Sequence, residues 1–135
     1  MPQRKLLLYT PLAHKAGHRL EEAVVAVLPE GTAEVVRTAA GLARRLRSPR
    51  NGLEVAVIMA TGRKKLEELQ PLEQMLESLL TILILPDAAP RTIARAHKLR
   101  PRYVTDIRSD FQDVAAVLKK MLALPELPLE PTTSF

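Results

Sequence analysis

The chain has 135 residues, 47% of them hydrophobic and 26% charged, with a formal net charge of +5. That fits one globular domain with one core and excludes disorder of the whole chain, because Leu, Ile and Val are abundant and regularly spaced. With no cysteine, structural disulfides, thiolate zinc sites, iron–sulfur clusters and a cysteine nucleophile are excluded.

At the start, residues 6–9 supply only four apolar positions before Pro11. A signal peptide needs an apolar stretch of about 7–15 residues, so none is expected. The longest nearly apolar run, residues 79–86, is far below the ~20 residues that span a bilayer. The expectation is a cytoplasmic protein without membrane association.

In chain order, residues 5–10 (KLLLYT) read as a buried strand ended by Pro11. Leu20, Val24, Val27 and Leu28 then share one helix face, broken at Pro29. Glu30, Gly31 and Thr32 are turn material, and residues 33–37 form a short, weak strand. Thr38 caps a helix with Ala39, Leu42, Ala43 and Leu46 on one side. Residues 48–52 (SPRNG) form a loop.

Residues 53–60 (LEVAVIMA) read as a strand covered on both faces. Pro71 suits the first turn of a helix carrying Leu72, Met75, Leu76 and Leu79. Residues 63–70 read either as a loop with some helical turn or as the start of that helix, kinked at Pro71. Residues 80–85 (LTILIL) are a strand, and Pro90 opens a helix with Ile93, Ala96 and His97 on one side. Residues 103–107 (YVTDI) form a more polar strand suited to a sheet edge. Ser109 and Gln112 have the spacing of a capping box, opening a helix with Val114, Val117, Leu118, Met121 and Leu122 on one face. One domain over residues 1–123 is expected, with a Pro-rich tail over 124–135.

Five strand–helix units imply a parallel sheet with helices on both faces. Right-handed crossovers leave few topologies, and the common one is a flavodoxin-like three-layer sandwich of order 2-1-3-4-5.

This arrangement resembles the response-regulator receiver domain. Residues 53–60 resemble that family's third strand, followed by a loop of about ten residues before the third helix. Ile93-Ala94-Arg95-Ala96, followed closely by Tyr103-Val104-Thr105, resembles its fourth helix running into its fifth strand. The resemblance implies a signal-transduction role in a two-component system. It also implies an acidic pair for magnesium after the first strand, where Thr10 and Pro11 stand, and a phosphoacceptor aspartate ending the third, where Met59, Ala60 and Thr61 stand. A Ser or Thr is implied at the end of the fourth strand and a lysine after the fifth. Pro86 and Asp87 occupy the first of these places, Asp106 and Arg108 the second. Without oxygen ligands a hard divalent cation has no site, and without a carboxylate there is no acyl phosphate. The expectation is a pseudo-receiver: no enzyme, no cofactor, no metal, acting by protein–protein contact independently of phosphorylation.

Two surfaces follow. The family dimerises and docks partners on its fourth helix, fifth strand and fifth helix. Here Arg95, Lys98, Arg102, Asp106, Asp110, Asp113 and Lys119 offer charges of both signs that can pair across a two-fold axis. The alternative is a sensor or enzyme binding a small anion, phosphate or nucleotide, beyond the carboxyl ends of the strands. Thr61, Gly62, Arg63, Lys64, Arg91 and Arg108, with His14 and Lys15, gather basic groups there.

Residues 1–52 carry nine Lys or Arg against four acids, whereas residues 53–135 carry eleven of each, so the excess lies in the first part. Arg37, Arg44, Arg45, Arg47 and Arg50 form either a solvated helix face or a weak nucleic-acid patch. With four aromatic residues and no Trp, a base-stacking platform is not expected, and nucleic acid is not the expected partner. His14 and His18 are four apart, a spacing zinc accepts, but two histidines alone are weak ligation.

Overall fold

The computed structural model describes residues 5–11, 14–28 and 33–123. The helix break expected at Pro29, the turn expected at residues 30–32 and the Pro-rich tail expected at 124–135 lie outside the described residues. Five strands, β1 (Lys5–Tyr9), β2 (Ala33–Val36), β3 (Leu53–Met59), β4 (Leu80–Leu85) and β5 (Tyr103–Asp106), form one sheet of order β2-β1-β3-β4-β5. Every pairing is parallel. The expected 2-1-3-4-5 order is the one found.

Helices α1 (Lys15–Val25) and α6 (Gln112–Ala123) cover one face of the sheet. Helices α2 (Ala39–Arg47), α3 (Arg63–Leu69), α4 (Glu73–Leu76) and α5 (Pro90–His97) cover the other. Alternation along each interior strand divides the core into two layers. Leu6 and Leu8 face α1 and α6, while Leu7 and Tyr9 face the opposite helices. β1, β3 and β4 read as nearly continuous apolar runs because both faces are covered.

A register shift interrupts the β1–β3 pairing: Lys5 lies opposite Leu53 but Leu6 opposite Val55. Glu54 is thus the extra residue of a bulge, and it is the exposed position of β3. The bulge sends Leu53 to one core layer and Val55 to the other, although they are two residues apart.

Residues 63–69 are helical, so of the two readings of this segment the loop is corrected and the helix interrupted at Pro71 is the nearer. Leu66 and Leu69 are buried and start an apolar ridge continued by Leu72, Leu76 and Leu79. Pro71 lies inside a 3-10 turn (Gln70–Leu72) between α3 and α4 instead of opening a new helix. Its missing N–H cannot join an α-helical ladder, so the chain tightens there. Thr38 caps α2 as expected, its hydroxyl accepting from the Gly41 N–H at 3.0 Å. The capping box expected at Ser109 and Gln112 does not form. The Ser109 hydroxyl instead accepts from the Phe111 N–H, two residues on, and donates to Asp113. Phe111, in a left-handed conformation with φ 63°, then turns the chain into α6.

Candidate functional site

Because all strands run the same way, their carboxyl ends meet at one rim, where open α/β sheets bind ligands. β1 delivers Thr10, which is fully buried and whose hydroxyl accepts from the Arg37 guanidinium at 2.9 Å. Arg37 also pairs with Glu21 of α1 at 2.9 Å. β3 leads into Ala60, whose N–H donates to Ile84 in the sheet. Gly62 has extended backbone, φ −169°, and a Cβ built on it would meet nothing within 4 Å. The Thr61–Gly62 turn is therefore ordinary extended chain and needs no glycine.

β4 leads to Asp87 and β5 ends on Asp106. The Thr92 hydroxyl and the Ala89 N–H hold the Asp87 carboxyl below its ordinary pKa, with Arg63 and Arg108 adding smaller contributions. Asp106 is 8% exposed and takes a two-pronged contact from Arg108, Nε to Oδ1 and Nη2 to Oδ2, each at 3.0 Å. The Arg108 backbone N–H donates to the same Oδ1 at 2.8 Å. These bonds outweigh the cost of burial and hold Asp106 below the usual carboxylate range.

The rim is therefore a set of mixed charges. Arg63, Lys64 and Arg91 are exposed there, but the Arg108 fork already grips a carboxylate. An incoming phosphate would have to displace Asp106 to reach the Arg108 fork. Histidine supplies no cation site either. The Nδ1 of His14 accepts from the Ala16 N–H at 3.1 Å as the cap of α1, and His18 is exposed. Among the described residues no group of three or more His, Asp or Glu converges to hold a metal.

On α5, β5 and α6, most of the seven expected surface charges are engaged within the chain. Arg95 pairs with Glu67 at 2.7 Å, Asp106 with Arg108, and Asp113 accepts from the Tyr103 and Ser109 hydroxyls at 2.7 and 2.8 Å. Asp110 caps the Gln112 N–H and lines a recess beside α1. Lys98 and Lys119 are exposed, and Arg102 is half-buried. What sequence reasoning missed is the clamp on the β5–α6 loop. Arg19 of α1 donates to the Ile107 and Ser109 carbonyls at 2.9 and 3.0 Å, and its guanidinium lies 5.2 Å from the centre of the Phe111 ring. No local signal marks it, because its partners are about ninety residues away.

The basic run of the first part is also largely structural. Arg45 pairs with Glu34 and donates to the Pro49 and Arg50 carbonyls. Arg50 reaches the Met75 carbonyl at 2.9 Å and the Ser78 hydroxyl at 2.7 Å. Arg44 and Arg47 are exposed on α2. Among the described residues no helix is long and apolar enough to cross a membrane.

The strand order and layers are those of CheY-like response-regulator receiver domains. The crystal structure of one such receiver protein from Methanospirillum hungatei superposes with a TM-score of 0.65 at 15% identity, covering 88% of this chain and 94% of that one. A LuxR family DNA-binding response regulator from Silicibacter pomeroyi gives 0.62 at 16% identity, over 90% and 98%. A pilus assembly-related protein from Burkholderia pseudomallei gives 0.59 at 19% identity, over 93% and 96%. The likeness is one of fold. No protein-family model matches the chain, and no match is found among curated proteins.

Proposed function

We propose that the chain is a receiver-like regulatory module of a signalling system, without enzymatic activity, that acts in the cytoplasm through protein contact and without phosphorylation. One observation carries the reading. A receiver backbone supports a rim with Thr10 and Pro11 after β1 and Met59, Ala60 and Thr61 at the end of β3, and none of these is a carboxylate. A hard divalent cation and an acyl phosphate both require carboxylate oxygens at such positions. Arg108 neutralises Asp106, with Asp87 acting on it from further along the rim.

The working surface in this reading is the face of α5, β5 and α6. Of the seven residues, the exposed ones are the cations Lys98 and Lys119 and the acid Asp110, while Asp106 and Asp113 are turned to partners inside the chain. Two exposed cations against one exposed acid leave an excess of positive charge that an acidic surface of another protein matches better than a second copy does.

Incubation with acetyl phosphate and magnesium, followed by intact-mass measurement, is expected to show no covalent phosphoryl adduct. A stoichiometric adduct overturns the reading. A native pull-down comparing wild type with K98E/K119E is expected to lose its partner in the variant. Equal recovery by both would move the contact elsewhere.

A further inference from the structure

We infer that the open edge of β2 pairs with the same edge of a second copy of this chain, joining the two sheets across a two-fold axis. Among the described residues, the exposed large hydrophobic side chains are Val25 and Val35, 58% and 44% exposed. They belong to one place. Glu21 of α1 pairs with Arg37, the residue after β2, at 2.9 Å. Val25 follows Glu21 by one helical turn, about 6 Å. Val35 precedes Arg37 by two strand residues, about 6.6 Å. Because β1 and β2 are parallel, α1 returns against their direction, and the two valines form one apolar patch along the sheet edge.

The backbone is open at the same point. The Thr10 N–H donates to the Val36 carbonyl at 3.2 Å, so Val36 turns its polar groups toward β1. Alternation along the strand turns those of Val35 outward, to the edge. Val35 lies opposite Leu8 in the β1 register, and Leu8 faces α1 and α6, so the Val35 side chain stands on that face too. The usual guards of an edge strand are missing, since β2 (AEVV) has no Lys, no Pro and no bulge. At the other edge of the sheet, all four residues of β5 are buried.

Charge selects the occupant. Arg45 holds Glu34, and Glu21 holds Arg37. The patch is therefore apolar and flanked by ion pairs closed within the chain, so it draws no charged partner and does not repel its own copy. A two-fold axis at Val35 supplies what the edge lacks. Each Val35 N–H meets the other copy's Val35 carbonyl, as in a hydrogen-bonded antiparallel pair, and the two apolar patches meet on the α1 face. The pairing uses up the open edge of both copies and so closes at two. It involves neither the rim nor the face of α5, β5 and α6, and does not depend on what those surfaces do.

The test is sedimentation velocity of the full chain from micromolar to millimolar concentration, with hydrogen exchange followed by NMR on the same samples. A shift from monomer to dimer is expected, and the Val35 amide is expected to exchange more slowly as the dimer fills. The V35K substitution places a charge on the edge, and V25K places one on the exposed last residue of α1, where folding is not at stake. Each is expected to weaken dimerisation about tenfold or more, because the two-fold axis counts every loss twice. A monomer at millimolar concentration, a dimer equally strong in both variants, or Val35 exchange that ignores concentration would overturn the inference. So would a chain that stays monomeric yet gains the same protection from an unrelated extended peptide.

Discussion

Phe111 combines two features that rarely coincide: a fully buried ring and a left-handed backbone, φ 63°. Such a conformation is a true outlier for a bulky residue and persists only where surroundings over-determine it. Here the core layer of α1 and α6 holds the ring, and Arg19 both covers it and ties down the carbonyls before it. Replacing Phe111 by alanine keeps the strain and empties the pocket. A loss of roughly 3–5 kcal/mol, the range for a buried Phe cut to Ala, is the expected outcome in urea unfolding.

Acid sensitivity also belongs to single residues. Burial pushes the Asp113 carboxyl up, but bonds from the Tyr103 and Ser109 hydroxyls prevail and leave it lowered. Asp106 is lowered chiefly by the Arg108 side chain. A carboxyl whose folded pKa is depressed contributes stability above its unfolded pKa, about 4, and loses it as pH falls through the folded value. The melting temperature is therefore expected to be flat above about pH 5 and to drop below about pH 4. The D106N variant should show a shallower acid limb with a lower plateau at neutral pH. An unchanged limb would remove Asp106 from this role.

At the scale of the element, α2 shows how local signals and packing divide the work. The Thr38 cap and the Leu42–Leu46 ridge are legible in the sequence, and both are found. Gly41 is not legible: mid-helix glycine ordinarily costs about 0.5–1 kcal/mol relative to alanine. Its reason is contact. A Cβ there would sit 2.9 Å from the Val36 Cγ1 and 3.1 Å from the Thr38 Oγ1. G41A is thus expected to destabilise the protein, by about 1 kcal/mol as typical for overpacking, instead of stabilising it as at an open helical site. A rise in melting temperature would show that β2 and the cap yield. α3 teaches the converse lesson. Leu66 and Leu69 already carried the helical spacing, but Pro71 and the charged run beside them masked it.

For the whole molecule, the sheet order follows from strand–helix alternation, which depends on apolar spacing alone and is visible in one dimension. The destination of each charge is not. Arg37, Arg45 and Arg50 read as a basic face, yet their guanidiniums are spent on Thr10, Glu34, Pro49 and Met75. Asp113 reads as a surface acid, yet its carboxylate is held by the Tyr103 hydroxyl of β5, a partner that the fold brings near. Side chains that join distant segments leave no periodic trace, which is why the rim and the partner face were only partly foreseeable.

The position of β1 has its own consequence. It lies between β2 and β3, and its inner neighbour lies some fifty residues further along the chain. During synthesis, at roughly 5–20 residues per second, Leu6, Leu7 and Leu8 emerge seconds before that neighbour exists. For that interval a sticky, half-paired ribbon is exposed to other nascent chains. Yield in the cell is thus expected to respond to chaperone supply and translation speed more steeply than the finished protein's stability would indicate.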